Sequence, residues 1–315
     1  MASGKIKLLI SGIIRHYHIL KIQDTSLAKQ NHLAAELSRF THSIEKGLAI
    51  NSPRLGFGHD KQRKMMAIIS LLENSSSSYH REVCEVAIDA LKDYLTFHNK
   101  RNYSDDFCLE LKDYVEQHQT IHDGKYGGVF SVNKSEFNFD QVYLEKYIKS
   151  RHSIRDFSNE DVDEELLRKA LKLAQYAPSA CNRQGVRAYV LSKEKSLELA
   201  QRLTGIGGFA DQAARLIMIT GKTSAYRKDE TYQYIVSASI YAAYLSLTLH
   251  AYGLGGCIVQ RQVVWSRDWE QLKKYYDIQE DEQLCLIIAV GNLKDQFYVP
   301  VSHRLNNEEM IRFIK

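Results

Sequence analysis

The sequence is poor in the features that mark several common protein classes. Its five cysteines (Cys84, Cys108, Cys181, Cys257, Cys285) are odd in number, widely spaced and never arranged as CxxC. That argues against a disulfide framework or a structural zinc site and for a reducing cytoplasm. No apolar run approaches the roughly 18 residues of a spanning helix. The opening stretch MASGKIKLLISGIIRHYHIL resembles a weak signal sequence, but Arg15 interrupts it and no small-residue cleavage site follows. Net charge is only +4, without the basic clustering of a nucleic-acid footprint.

Several motifs also fail. GKTS at 221–224 echoes the end of a P-loop, but the position of its first glycine is Leu216. GIGGFA and GLGGC do not fit GxGxxG, which removes a standard dinucleotide fold, and no GxSxG elbow supports a hydrolase triad. His16, His18, His32 and His42 lack carboxylate partners at diagnostic spacing, so no metal is expected there.

What remains is a chain of 315 residues, enough for about two folding units. Residues 1–125 read as helical. Leu33, Leu37, Phe40, Ile44 and Leu48 recur at steps of three and four, and Gly47 sits where that helix could stop. RLGFG supplies a turn. KMMAIISLL, VCEVAIDALKDYLTF and FCLELKDYVEQH read as further helices, with a loop at Ser75–Ser78. The glycine-rich stretch 123–139 is poor in helix formers and marks a linker or arm, placed at 126–146. Beyond it, helices alternate with strand candidates RAYVLS, ARLIMITG, GCIVQ and QLCLIIAVG. The long segment 230–253 is a helix with small residues along it, one that other elements enclose. The pattern predicts helices covering a mixed sheet.

Two stretches carry chemistry. In SRHSIRDF, Arg151, Ser153 and Arg155 alternate with His152 and Ile154, so in an extended segment they share one side. Two forked guanidinium donors and a hydroxyl suit a phosphate or another anion; two solvated arginines beside a helix start are the alternative. In YAPSACNRQGVRAYVL, one of only three prolines ends a helix at Pro178, and Ser179, Ala180, Cys181, Asn182, Arg183 and Gln184 crowd the junction before the next strand. GLGGC at 253–257 lets backbone approach a ligand, and Arg304 adds a late cation.

In that order and spacing, residues 147–315 resemble the nitroreductase family of flavoproteins. The resemblance implies an α+β, nitroreductase-like three-layer fold with a mixed sheet, preceded by the all-helical region. It also implies FMN bound non-covalently in a homodimer, with the flavins at the subunit interface. By position, Arg151 and Ser153 would hold the phosphate and ribityl chain, with His152 between them, and Arg155 would lie near the flavin N1. Ser179, Asn182 and the backbone around Pro178 and Ala180 would meet the ring from the partner subunit, joined by Gln184. Gly255 and Gly256 would face N5, and Arg304 would be a second phosphate ligand. No side chain is implied as a catalytic acid or base. The implied activity is an oxidoreductase that takes electrons from NADH or NADPH and passes them to a small acceptor in a ping-pong cycle. The alternative is a flavin-fold scaffold or regulator without turnover in surface-polysaccharide biosynthesis.

One departure stands out. The family usually has proline after the loop's glutamine; here Gly185 is expected to relax the backbone entering the strand. HSIEKGL followed by RLGFG resembles a helical extension found on nitroreductase-like proteins of polysaccharide gene sets. It reads as a cap over the active-site mouth or as a docking module, with His42, Glu45, Lys46, Arg54 and Phe57 as the residues to test. Cys181 and Cys257 read as small buried thiols, with a redox pair as the alternative.

Overall fold

The computed structural model describes residues 2–118, 120, 122–202, 208–209, 212–259, 267–305 and 310–314. The first half is helical: α1 (Ala2–Ile22), α2 (Ser26–Ala49), α3 (His59–Leu72), α4 (Ser78–Asn99) and α5 (Asp106–Gln117). Side chains satisfy the free N–H groups at helix starts. Thr25 Oγ1 accepts from Ala28 N–H at 3.3 Å, and Asp105 Oδ1 accepts from Cys108 N–H at 2.8 Å. Helices α2 to α5 close on one apolar core around Leu37, Ile44, Met65, Ile69, Leu91 and Leu111.

The expected stop at Gly47 does not occur, because α2 runs on to Ala49. Gly47 serves packing instead: a Cβ there would lie 2.2 Å from the Phe57 ring. Phe57 is thereby wedged against α2 and meets Tyr94 edge-on at 5.2 Å. The RLGFG turn puts Gly56 at φ +64° and Gly58 at φ +82°. Gly56 N–H donates to His98 Nε2 at 3.0 Å, while His98 Nδ1 binds the Tyr94 carbonyl at 2.8 Å. This motif locks the helical core together, so Phe57 is a packing residue rather than a free docking residue.

The stretch expected as a linker is partly pinned. Asp89 Oδ2 accepts from Tyr126 N–H, Asp93 Oδ2 from Val129 N–H and Glu45 Oε1 from Gly128 N–H, at 2.9, 2.7 and 3.1 Å. Its later part forms α6 (Gln141–Ser150). Then come α7 (Glu164–Ala174), β1 (Val186–Val190), α8 (Lys193–Arg202), β2 (Arg215–Lys222), α9 (Gln233–Ala251), β3 (Leu254–Val259), α10 (Arg267–Tyr275) and β4 (Glu282–Asn292). Gln260, expected to end β3, lies outside the described residues. Residues 306–309, which follow Arg304, also do, and 311–314 are not helical.

The strands run in the order β1-β2-β4-β3, each pair antiparallel. The parallel component expected of a mixed sheet is, among the described residues, the bridge between Ser153 and Gly256. Alternate residues face opposite layers. Ile217, Ile219, Ile288 and Val290 pack with α7 and α9; Leu216, Met218, Ile287 and Ala289 pack with Leu199 of α8 and with Trp269 and Leu272 of α10. This explains why β2 and β4 read as nearly unbroken apolar runs: both faces are covered. By length and composition α9 could cross a membrane, but its Ala238, Ala242, Leu245 and Leu249 belong to the sheet's core.

The two halves share structure. Ile19 and Ala35 join the α9 side of the sheet core. Asn31 Nδ2 donates to Asp281 Oδ2 at 2.9 Å, and its Oδ1 meets His80 Nε2 at 3.0 Å.

Candidate functional site

The sequence-predicted residues fall into two groups. The first gathers where β3 begins. The segment after α6 meets β3 at one parallel bridge, Ser153 with Gly256, where Ile154 N–H donates to the Gly256 carbonyl at 3.1 Å. Ile154 is buried and anchors the segment, while Arg155 is exposed. A Cβ on Gly255 would lie 3.0 Å from the Leu293 side chain and 3.1 Å from that of Ile154, so both side chains pack tightly over this glycine.

No ion pair among the described residues involves Arg151, His152 or Arg155; Arg155 Nη1 donates to the Ser153 carbonyl at 3.3 Å, and its guanidinium lies 5.9 Å from the Phe209 ring centroid. The nearby acids are taken: Asp156 pairs with Lys294, and Asp161 holds Arg215 with two bonds of 2.6 and 2.9 Å. The field is felt locally. Burial pushes the His250 imidazole down, and the charges of Arg151 and His152 push it the same way. Burial raises the Cys257 thiol, opposed by Arg155 and Arg151. A cluster of unpaired cations with a serine hydroxyl suits an anion such as a phosphate. Arg304 does not join it in any described contact: it is exposed, with its guanidinium on the Ser302 carbonyl.

The second group lies where β1 begins. Asp163 caps α7, accepting from Glu165 N–H at 2.8 Å; Pro178 follows the helix, and a 3-10 turn spans Ala180–Asn182. Cys181, Asn182 and Gln184 hold φ of +50°, +51° and +47°, a left-handed conformation that costs non-glycine residues about 1–2 kcal/mol each. Arg183 holds the loop there. It is 2% exposed and donates to the Ala180 and Ala225 carbonyls at 3.2 and 3.0 Å and to both Glu230 carboxylate oxygens at 2.7 Å. Burial alone would lower the Arg183 pKa, but the Glu230 bonds raise it, and they hold the Glu230 carboxyl down at about 2. Ser179 Oγ accepts from Gln184 N–H at 3.0 Å.

Gly185 acts otherwise than expected. Its φ is not left-handed; a Cβ there would lie 2.7 Å from that of Ala225 and 3.2 Å from the Tyr226 hydroxyl. Close packing, rather than backbone freedom, requires glycine.

The loop opens on a cavity of about 270 Å³ lined by Pro178, Ser179, Asn182 and Gln184 and, from the helical half, by Ser38, Tyr79 and Glu82. An adjoining cavity of about 610 Å³ reaches His42, Glu45, Lys125 and Tyr126. Arg187 lies 5.2 Å from the Tyr79 ring centroid. Arg183, Glu230 and Tyr79 escaped sequence reasoning. Arg183 looked like any loop arginine, and nothing in KDETYQY marks Glu230 as its partner.

The strand register separates the two groups. Val186 pairs with Gly221 and Gly221 with Gln283, whereas Gly256 pairs with Val290. From Gln283 to Val290 is about 23 Å along β4, and β1 to β3 is three strand spacings, about 14 Å. The groups therefore occupy diagonal corners of the sheet, too far apart for one small ligand to touch both. Cys181 and Cys257 are divided in the same way.

An α+β three-layer domain with a cationic corner, a strained polar loop and a helical region packed on that loop is thus the class of protein defined by these features. By comparison, residues 148–206 match the model of the Nitroreductase family. That segment holds Arg151–Arg155 and the loop 178–184. Among solved structures, an FMN-dependent nitroreductase from Clostridium difficile R20291 is 27% identical, with 54% of this chain and 98% of that one covered and a TM-score of 0.45. A putative nitroreductase from Desulfovibrio desulfuricans, in complex with FMN, is 20% identical, with 56% and 99% covered and a TM-score of 0.47. A nitroreductase-like protein from Streptococcus mutans is 19% identical, with 56% and 100% covered and a TM-score of 0.47. No curated protein matches the chain.

Proposed function

We propose that this chain is an FMN-dependent oxidoreductase, drawing electrons from NADH or NADPH and passing them to a small acceptor in a ping-pong cycle. It works as a homodimer in the cytoplasm, with FMN between the copies. The observation that carries this reading is the diagonal separation of the two corners, each suited to one end of the cofactor. Arg151, His152 and Ser153 fit the phosphate and ribityl chain, because Arg151 forms no ion pair among the described residues and Ser153 adds a hydroxyl. Pro178, Ser179, Ala180, Asn182 and Gln184 of the second copy fit the ring edge, with Arg304 as a further phosphate ligand supplied when the tail packs. Exposed apolar side chains support pairing of copies: Val236 and Tyr244 on α9 and Val142, Leu144 and Ile148 on α6.

FMN, when bound, supplies the hydride and electron chemistry. The chain's part is to bind, orient and polarise. Arg155 presents a fixed positive charge beside Gly255 and Gly256, favouring negative charge that develops on a ligand there. The Arg183–Glu230 clamp keeps the loop in its left-handed form. Helices α2 and α4 wall the cavities above that loop, which makes the helical half a cap over the acceptor side.

The visible spectrum of the purified protein tests this. A yellow protein bleached anaerobically by NADH or NADPH is expected. A colourless protein that FMN cannot reconstitute contradicts the flavin assignment, and a yellow protein that neither nucleotide bleaches favours a scaffold without turnover. Replacing Arg151 and Arg304 together is expected to abolish flavin retention.

A further inference from the structure

We propose that α1 is a docking helix for an anionic lipid surface. Its described side chains from Ile6 to Tyr17 are all exposed. Ile6, Leu9, Ile10, Ile13, Ile14 and Tyr17 are 46–68% exposed, and a Cβ added to Gly12 would meet nothing within 4 Å. These apolar residues recur at steps of three and four, which puts them on one stripe of the helix.

The other end of α1 is fixed. Ile19 and Ile22 are buried, on the roughly opposite side of the helix from Ile6, Ile13 and Tyr17. His18 Nε2 lies 3.2 Å from Glu270 Oε1, and Gln23 Nε2 donates to the Thr223 carbonyl at 2.8 Å. The body thus grips one side of the last turns, and the apolar stripe faces outward.

Charge selects the occupant. The first 23 residues contain Lys5, Lys7, Arg15 and Lys21 and no acidic residue; the first acid is Asp24. Pairing the stripe with that of a second copy would bring two helices of like charge together, whereas anionic headgroups complement it. A helix with an exposed apolar stripe whose charged residues are all basic lies in the interface plane instead of crossing it.

The test uses the full chain, sedimented with vesicles of phosphatidylcholine alone or mixed with phosphatidylglycerol. Co-sedimentation with the mixed vesicles, weakened by salt and absent with neutral ones, is expected. The double variant Ile10→Glu/Ile13→Glu is expected to lose about tenfold or more of that binding, because both charges enter the apolar stripe. Its circular dichroism and gel-filtration volume should match the parent's. The proposal is overturned by absent binding to mixed vesicles, by equal binding to neutral ones, or by a variant that binds as well as the parent. It is also overturned if the variant elutes as a smaller species, which would show that the stripe covers a second copy.

Discussion

Replacing Glu230 by alanine removes the acid that holds Arg183. Breaking a buried pair costs about 3–5 kcal/mol, because the remaining charge is left uncompensated. Arg183 is that remaining charge, 2% exposed, but Glu230 itself is 30% exposed. Water can take part of its place, so about 2–3 kcal/mol is expected here. The loss concentrates on the loop: the left-handed residues Cys181, Asn182 and Gln184 hold strain of about 1–2 kcal/mol each, which the four Arg183 bonds offset. Hydrogen exchange should show faster exchange at the amides of 182–185, and urea unfolding a lower midpoint. Glu230→Gln, which keeps one bond, should lie between. The pH dependence has a definite sign. The Glu230 carboxyl is held at about 2 against an ordinary 4.5. Its contribution is therefore complete above about 4.5 and fades as pH falls towards 2. Unchanged exchange together with a stability change under about 0.5 kcal/mol would refute the clamp.

Other consequences can be checked separately. Gln184→Gly should stabilise the chain by about 1 kcal/mol, since glycine adopts φ +47° without strain; a lower melting temperature would contradict this. Gly47→Ala should destabilise by about 1–3 kcal/mol despite alanine's better helix propensity, because the added methyl meets the Phe57 ring; an unchanged urea midpoint would count against it. Burial holds the His98 imidazole below its ordinary 6.5, and its Nε2 accepts the Gly56 N–H in the neutral form. The helical half should therefore keep full stability above about pH 6.5 and lose it as pH falls below, read by circular dichroism melts. A His98→Gln variant that shows the same acid loss would contradict this assignment.

Much of the fold could be read from periodicity. Helix α2 showed its apolar face at Leu33, Leu37, Phe40, Ile44 and Leu48, and β2 and β4 were legible as the strand candidates ARLIMITG and QLCLIIAVG. Helices α8 and α10 were not legible, because KEKSLELAQR and RDWEQLKKY are dominated by charge and bury only a few residues. Positions of glycines were easier to see than their reasons. Gly47 and Gly185 looked like a helix stop and a relaxed backbone, yet both make room for a neighbouring side chain, information that exists only in three dimensions. The site divided likewise. Its residue types were visible in SRHSIRDF and the 178–184 loop. Their separation depended on strand register, and the Arg183–Glu230 pair on a contact across 47 positions of sequence.

The central claim is that the two corners build one flavin site only when they come from different copies. It can be tested with a mixed dimer of an Arg151→Ala/Ser153→Ala chain and a Ser179→Ala/Asn182→Ala chain, with bound FMN measured by absorbance. Each variant alone is expected to lose flavin, and the mixed dimer, with one intact site, to recover about half of the parent's occupancy. A mixed dimer no better than its parents, or either variant retaining full flavin by itself, would contradict the claim.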